Sequence, residues 1–163
     1  MSVDRIPLPA GTPGALWLTS LGEVSADPDA ALARTRSGVI VCLNPRAELE
    51  QRAPSYIPWL RANQPDRALW FPVRDFSAES ADATMPFVDM VVARLPDGVV
   101  MHCALGLGRA GTMAIGVLVA LGVALDDAMA TIAANRVGAG PVSPSQWALV
   151  EDIAAHVAHR PGT

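Results

Sequence analysis

The stretch MHCALGLGRAGTMA (101–114) places Cys103 ahead of Arg109, with Gly106 and Gly108 between them. A thiol attacks only as its thiolate, and an arginine offers a planar fork of donors matched to two oxygens of a phosphoryl group. VVMH (99–102) reads as a strand, and a helix is expected from about Arg109 to Leu121, so the cysteine sits at a strand–loop–helix junction. The start of a helix presents unpaired N–H groups and the positive end of the helix dipole. Glycines let the preceding backbone curl so that several N–H groups aim at one centre. Residues Ala104, Leu105, Gly106, Leu107, Gly108 and Arg109 should therefore form an anion cradle of the kind that holds phosphate. Free cysteine titrates near ~8.5, and both a helix N-terminus and a nearby cation lower that value. Cys103 is expected to face a bound oxyanion as a thiolate, which is the arrangement for nucleophilic attack at phosphorus.

Such a loop needs rigid elements on both sides. ALWL (15–18), VIVCL (39–43) and ALWFPV (68–73) are apolar runs bounded by turn residues and read as buried strands. Between the first two, Asp27 caps a helix with Pro28 at its first position, running to about Arg36 and closed by Gly38. Weaker helices fit PRAELEQ (45–51) and SYIPWLRAN (55–63), and stronger ones MPFVDMVVARL (85–95) and LDDAMATIAANR (125–136). A last helix opens at Ser143-Pro144-Ser145-Gln146, where Ser143 and Gln146 have the spacing of a capping box. Residues 1–14 read as an extended segment rich in proline and glycine. Strands alternating with helices predict a single α/β domain over residues 1–163 with a mostly parallel central sheet flanked by helices.

Composition narrows the class. The 163 residues are 51% hydrophobic with a formal net charge of −4, as expected of an ordinary globular domain. All twelve basic residues are arginines and they are scattered, so no nucleic-acid footprint is present. Two cysteines, Cys42 and Cys103, are too few for a disulfide scaffold and suit a reducing compartment. The apolar run 112–125 is shorter than the roughly 20 residues of a membrane helix, and the N-terminus lacks the apolar region of a signal peptide. A cytoplasmic location without a membrane partner is the expectation. No metal or other cofactor is called for, since no cluster of ligating residues stands out.

His-Cys-x-x-Gly-x-Gly-Arg (102–109) resembles the signature loop of the cysteine-dependent protein tyrosine and dual-specificity phosphatases. ALWLTSLGE (15–23) looks like the first strand of the small dual-specificity members. WFPVRD (70–75) resembles the segment carrying their general acid, and NRVGAGPVSPSQ (135–146) the loop where several members place a glutamine near the catalytic water. VCLNPRAEL (41–49) with GLGR (106–109) is most similar to the kinase-associated phosphatase branch.

The resemblance implies a dual-specificity-phosphatase-like fold and residue roles. Cys103 is the nucleophile, Arg109 binds phosphate, and His102 orients the loop and tunes the thiolate, with a plain core histidine as the alternative. Asp75 is the general acid, preferred over Glu79 and Asp82 because the acid must reach over the cradle and because of the Pro72-x-x-Asp spacing. Gln146 is either a capping residue or a water-positioning one. Arg136 either ends a helix or helps hold a phosphorylated substrate. Cys42 is either a core residue or, as in some relatives, the partner of a protective disulfide with Cys103.

One position departs from the family pattern. A Ser or Thr usually follows the loop arginine and steadies the departing thiolate; here it is Ala110. Thr112 is the nearest hydroxyl that could reach back. The expected substrates are phosphorylated proteins, phosphotyrosine with or without phosphoserine/threonine, or small phosphoesters. The apolar loop positions Ala104, Leu105 and Leu107 argue against highly phosphorylated inositides. Two alternatives stay open: a phosphoprotein-binding module with little turnover, and a rhodanese-like sulfurtransferase.

Overall fold

The computed structural model describes residues 2–161. Five strands form one sheet: β1 (Asp4–Ile6), β2 (Leu16–Ser20), β3 (Val39–Cys42), β4 (Ala68–Trp70) and β5 (Val99–Cys103). Their spatial order is β1-β2-β5-β3-β4, with β1 antiparallel to β2 and every other pairing parallel. β5 is central and buried along its whole length, as a parallel strand covered on both faces must be. Its last residue is Cys103, so the cradle opens at the carboxyl end of the middle strand, where α/β sheets place their sites.

Among the described residues the α-helices are α1 (Leu21–Ser25), α2 (Pro28–Thr35), α3 (Arg46–Arg52), α4 (Tyr56–Asn63), α5 (Ala81–Arg94), α6 (Gly108–Ala120), α7 (Leu125–Asn135) and α8 (Pro144–Ala158). Side chains alternate across the pleat and divide the core in two. Leu16, Leu18, Val41, Val99, Met101 and Cys103 face helices α5–α8. Ile40, Cys42 and Val100 face α1–α4, against Val24, Leu49 and Tyr56. The apolar run of the sequence becomes α6, buried on all sides between the sheet and its neighbouring helices. Among the described residues no helix is long and apolar enough to cross a membrane.

Four local expectations change. The N-terminal segment contributes the edge strand β1, too short to show a period in sequence; it is held by pairing to β2 and by buried Ile6. Helix α2 is closed by Arg36 rather than Gly38: Arg36 adopts a left-handed φ of 53°, and the N–H of Ser37 reaches Leu32 O at 3.0 Å. The regular strand after Ala68 stops at Trp70; Phe71 and Val73 N–H still bond Cys42 O and Leu43 O at 3.0 and 2.9 Å before the chain runs over the site. Helix α5 begins at Ala81, capped by the Ser80 hydroxyl, with Pro86 inside it. Asp82, whose carbonyl loses its usual donor to that proline, is exposed to solvent, so water can serve it.

Candidate active site

The loop from Cys103 to Arg109 is shaped by where its carbonyl groups go. Leu21 N–H donates to Ala104 O at 3.1 Å. Arg136 donates through Nη2 to Leu105 O at 2.8 Å and through Nε to Gly106 O at 2.7 Å. Gly111 and Gly140 N–H groups donate to Leu107 O at 2.9 and 3.2 Å. Four consecutive carbonyls are thus tied outward, while among the described residues the N–H groups of 104–107 have no protein acceptor. This is an anion cradle with its donors free. Gly106 is obligatory on two counts, a φ of 72° and a Cβ position that would run into the carbonyl oxygen of Thr19. At Gly108 the reason is contact alone, since a Cβ there would crowd Val142.

Arg136 ends α7 as its C-cap residue, and its guanidinium is committed to the loop rather than left for substrate. It is buried and clamps the back of the cradle, paired with Asp4 of β1 at 2.6 Å and bonded to Ser2 O and Leu18 O. The edge strand and the phosphate loop are fastened through one guanidinium.

Arg109 is held by a residue that sequence reasoning left inside an ordinary helix. Glu48 of α3 accepts from Nη1 at 2.9 Å and from Nη2 at 3.2 Å, and Nη1 also donates to Val73 O at 2.9 Å. Asn44 Nδ2 donates to Glu48 Oε1 at 3.0 Å, anchoring the carboxylate from behind. Burial alone would push the Glu48 carboxyl up, but the hydrogen bonds and charge of Arg109 outweigh it and leave it below the usual carboxylate range. Burial likewise pulls the guanidinium down, and Glu48 more than restores it. Arg109 Nε is buried without a hydrogen bond and lies 3.5 Å from Asp75 Oδ1. It is the donor left over for an incoming oxyanion.

Cys103 and His102 point to opposite sides of the sheet. His102 is fully buried on the α1–α4 side, with Nε2 2.9 Å from Tyr56 Oη and Nδ1 3.4 Å from Cys103 O. Its influence on the thiol passes through the backbone. Burial, with the Arg109 charge in the same direction, pushes the imidazole down to about 4 against the bond to Cys103 O. An unfolded histidine titrates near ~6.5, so between about 4 and 6.5 the unfolded chain binds a proton that the folded chain refuses. The stability His102 contributes is complete above that window and is lost as pH falls through it, about 3 kcal/mol in all. Urea midpoints measured from pH 7.5 to 4.5 should fall with pH, and His102→Asn should flatten that fall. An unchanged slope in the variant would assign it to other groups.

Cys42 pairs in register with His102 and shares its face, whereas Cys103 lies on the other. Both thiols are free, and their side chains leave the sheet on opposite faces. Burial raises the Cys42 thiol to about 12, as suits a core residue.

Asp75 is on the segment that crosses the mouth of the cradle. Together with Phe76, Cys103, Leu105, Leu107, Arg109 and Val142 it lines a cleft of about 170 Å³. Its side chain is 58% exposed, and Oδ1 accepts from Phe76 N–H at 3.0 Å. Of the two acidic neighbours, Glu79 borders a small separate cavity beside Phe71, and Asp82 faces a groove with Asp152 and His156. Phe76 has a φ of 55° and is 67% exposed. A bulky residue in the left-handed region is strained, and strain of this kind collects at functional sites.

Two other expectations are redirected. Ser143 Oγ accepts from Gln146 N–H at 3.4 Å, but the Gln146 side chain does not return to Ser143. Its Oε1 accepts from Val142 N–H at 2.9 Å and its Nε2 donates to Ser77 O at 3.2 Å. The amide is spent joining two loops beside Gly108, not turned into the cleft. Thr112 does not reach back to the cysteine: its buried hydroxyl has no partner and borders the small cavity shared with Thr84, behind Arg109.

No curated protein sequence matches the chain. Among solved structures, kinase associated phosphatase, with its catalytic-site cysteine replaced by serine, superposes with a TM-score of 0.79 at 16% identity, covering 99% of this chain and 98% of that one. Tk-PTP in its active form gives 0.67 at 23% identity, covering 88% and 92%. Human DUSP28 gives 0.68 at 19% identity, covering 96% and 95%. These likenesses establish the dual-specificity-phosphatase fold. Residues 24–123, from α1 through the phosphate loop and α6, match the polymorphic toxin system DSP-PTPase phosphatases, Tc-R-P, and the chain belongs to that family of cysteine-dependent phosphatases.

Proposed function

We propose that the chain hydrolyses phosphate monoesters on proteins, phosphotyrosine foremost, through a cysteinyl-phosphate. The observation that carries this reading is the convergence of Cys103, Asp75 and Arg109 on one cleft above the free N–H groups of the cradle. In the first step Cys103 Sγ attacks phosphorus, and the bond to the leaving oxygen breaks as Asp75 gives it a proton. The N–H groups of 104–108 and Arg109 Nε take up the charge on the equatorial oxygens. In the second step water attacks phosphorus, Asp75 takes its proton, and the S–P bond breaks with its electron pair returning to sulfur. Glu48 positions Arg109, and His102 and Gln146 position the loops.

The mouth of the cleft favours a monophosphorylated group with an apolar body. Its side chains Phe76, Leu105, Leu107 and Val142 are apolar, and Asp75 and Arg109 are the charged residues that line it. A substrate bearing several phosphates would find no further countercharge there. Phe76, exposed and without a ring partner among the described residues, is placed to lie against an aryl leaving group. We assign the activity to a reducing, cytoplasmic setting, in which both thiols stay free.

Rapid-mixing kinetics on p-nitrophenyl phosphate test the reading. A burst of phenolate near one per enzyme, absent in Cys103→Ser, is expected. Ala110 favours a second reading, a phosphoprotein-binding module with little turnover. Release no faster than the Cys103→Ser control, with phosphopeptide binding intact, would decide for it.

A further inference from the structure

Ala110 leaves the sulfur of Cys103 without the hydroxyl expected from its own helix, and Thr112 faces elsewhere. Another hydroxyl lies across the sheet. Ser20 is the last residue of β2 and the register partner of Cys103, the last residue of β5. On that pair of parallel strands Leu16 and Leu18 share a face with Val99, Met101 and Cys103. Ser20 continues the alternation on β2, so its side chain leaves the sheet beside that of Cys103. Directly paired residues of neighbouring strands stand roughly 5 Å apart, within reach of a hydroxyl and a sulfur after a turn of χ1.

Ser20 is 0% exposed, and its Oγ is a buried polar atom with no hydrogen-bond partner. Buried hydroxyls in folded proteins are nearly always satisfied, and an orphaned one calls for a reason. Capping does not supply it: Ser20 precedes α1, but its side chain makes no cap bond to that five-residue helix. The end of β2 is otherwise fastened to the loop on both sides of Ser20, with Thr19 O packed under Gly106 and Leu21 N–H on Ala104 O.

We propose that Ser20 supplies the hydrogen bond to the Cys103 sulfur that Ala110 cannot. The inference rests on the cysteinyl-phosphate reading and adds a residue to it. When water attacks the phosphoenzyme and the S–P bond breaks, the electron pair goes to Sγ. The Ser20 O–H donates to that thiolate without transferring its proton, and the water proton goes to Asp75. The hydroxyl thus comes from the neighbouring strand instead of the loop helix.

The test uses the full chain in three forms: Ser20→Ala, Ser20→Gly, and Ser20→Ala combined with Ala110→Ser. With p-nitrophenyl phosphate, Ser20→Ala should keep its phenolate burst while hydrolysis of the cysteinyl-phosphate slows roughly ten- to hundred-fold, the size expected for a lost bond to a charged acceptor. The pH profile of iodoacetamide inactivation should move to higher pH in the same variant. Adding Ala110→Ser should restore both. Ser20→Gly, which a helix start tolerates better than alanine, should show the same losses as Ser20→Ala. Unchanged hydrolysis and an unchanged inactivation profile in Ser20→Ala would overturn the proposal. So would losses that follow the melting temperature and persist with Ala110→Ser present. Phenolate release no faster than the Cys103→Ser control, or no cysteinyl-phosphate trapped on acid quench of the unaltered protein, would instead overturn the cysteinyl-phosphate reading, and the part assigned to Ser20 with it.

Discussion

Glu48→Gln is expected to lower kcat/KM for an aryl phosphate at least ~100-fold and to destabilise the fold by about 3 kcal/mol. The carboxylate holds both terminal nitrogens of Arg109, whose side chain is only 1% exposed, while Glu48 itself is 20% exposed. Removing one partner of a buried pair leaves the other charge uncompensated, and that cost exceeds the net value of the intact pair. Glutamine keeps the shape and one acceptor but not the charge, so the guanidinium can swing away from the cradle. A misplacement near 1 Å in a positioning group is enough for a hundred-fold loss. Steady-state kinetics and urea unfolding on the same samples check both halves. A variant that loses stability but keeps kcat/KM would reduce Glu48 to a structural role.

Asp75→Asn should act differently. A general acid contributes roughly 10²- to 10⁴-fold, and only where the leaving oxygen needs a proton. Phosphoenzyme formation should fall by that range with phosphotyrosine or phosphoserine peptides and far less with p-nitrophenyl phosphate, whose phenolate leaves unaided. Stability should hardly change, because the side chain is largely in solvent and asparagine can still accept from Phe76 N–H. Single-turnover measurements on the two substrate types decide the matter. An equal loss on both would mean that Asp75 orients substrate or Arg109 rather than donating a proton. An equal loss caused instead by Glu79→Gln would move the acid to a residue that borders a different cavity.

Ordinary turnover of both peptides and small esters would mean that the hydroxyl missing at Ala110 is supplied from elsewhere. The position carries no hydroxyl, and two buried unpartnered hydroxyls, Thr112 and Ser20, differ in what surrounds them. Thr112 sits one turn along α6 behind Arg109, and Ser20 sits across the strand pair beside the sulfur. Thr112 belongs to α6, which covers the same sheet face as Cys103, but its hydroxyl borders the cavity behind Arg109, whereas Ser20 is the register partner of the nucleophile.

The parts of this protein legible from sequence alone are those made by neighbours in the chain. The cradle is one: Cys103, the glycines and Arg109 belong to a single strand–loop–helix passage, so their spacing already dictates a ring of N–H groups around a thiol. Helix starts at Pro28 and Pro144 are also local, because Asp27 and Ser143 cap with their own side chains within three residues. Alternation of apolar runs with helical periods fixed the α/β class and the parallel sheet for the same reason. Asp75 was accessible as a loop residue near a strand end, and its place over the cleft follows the shortening of β4.

What only the tertiary structure decided are the partners distant in sequence. Glu48 reached Arg109 because β3 lies beside β5 in the sheet, which puts the start of α3 next to the cradle. Arg136 became a clamp because α7 ends under the loop and beside β1. Strand order and the parity of the pleat put Cys42 with His102 and away from Cys103, and set Ser20 beside Cys103 instead. A side chain's type and its neighbours in sequence carry no information about which strand will lie alongside, since that is chosen by burying apolar surface over the whole sheet. The chemistry of the loop is therefore written locally, while the residues that hold its arginine, its carbonyls and its sulfur are selected by the packing of the fold.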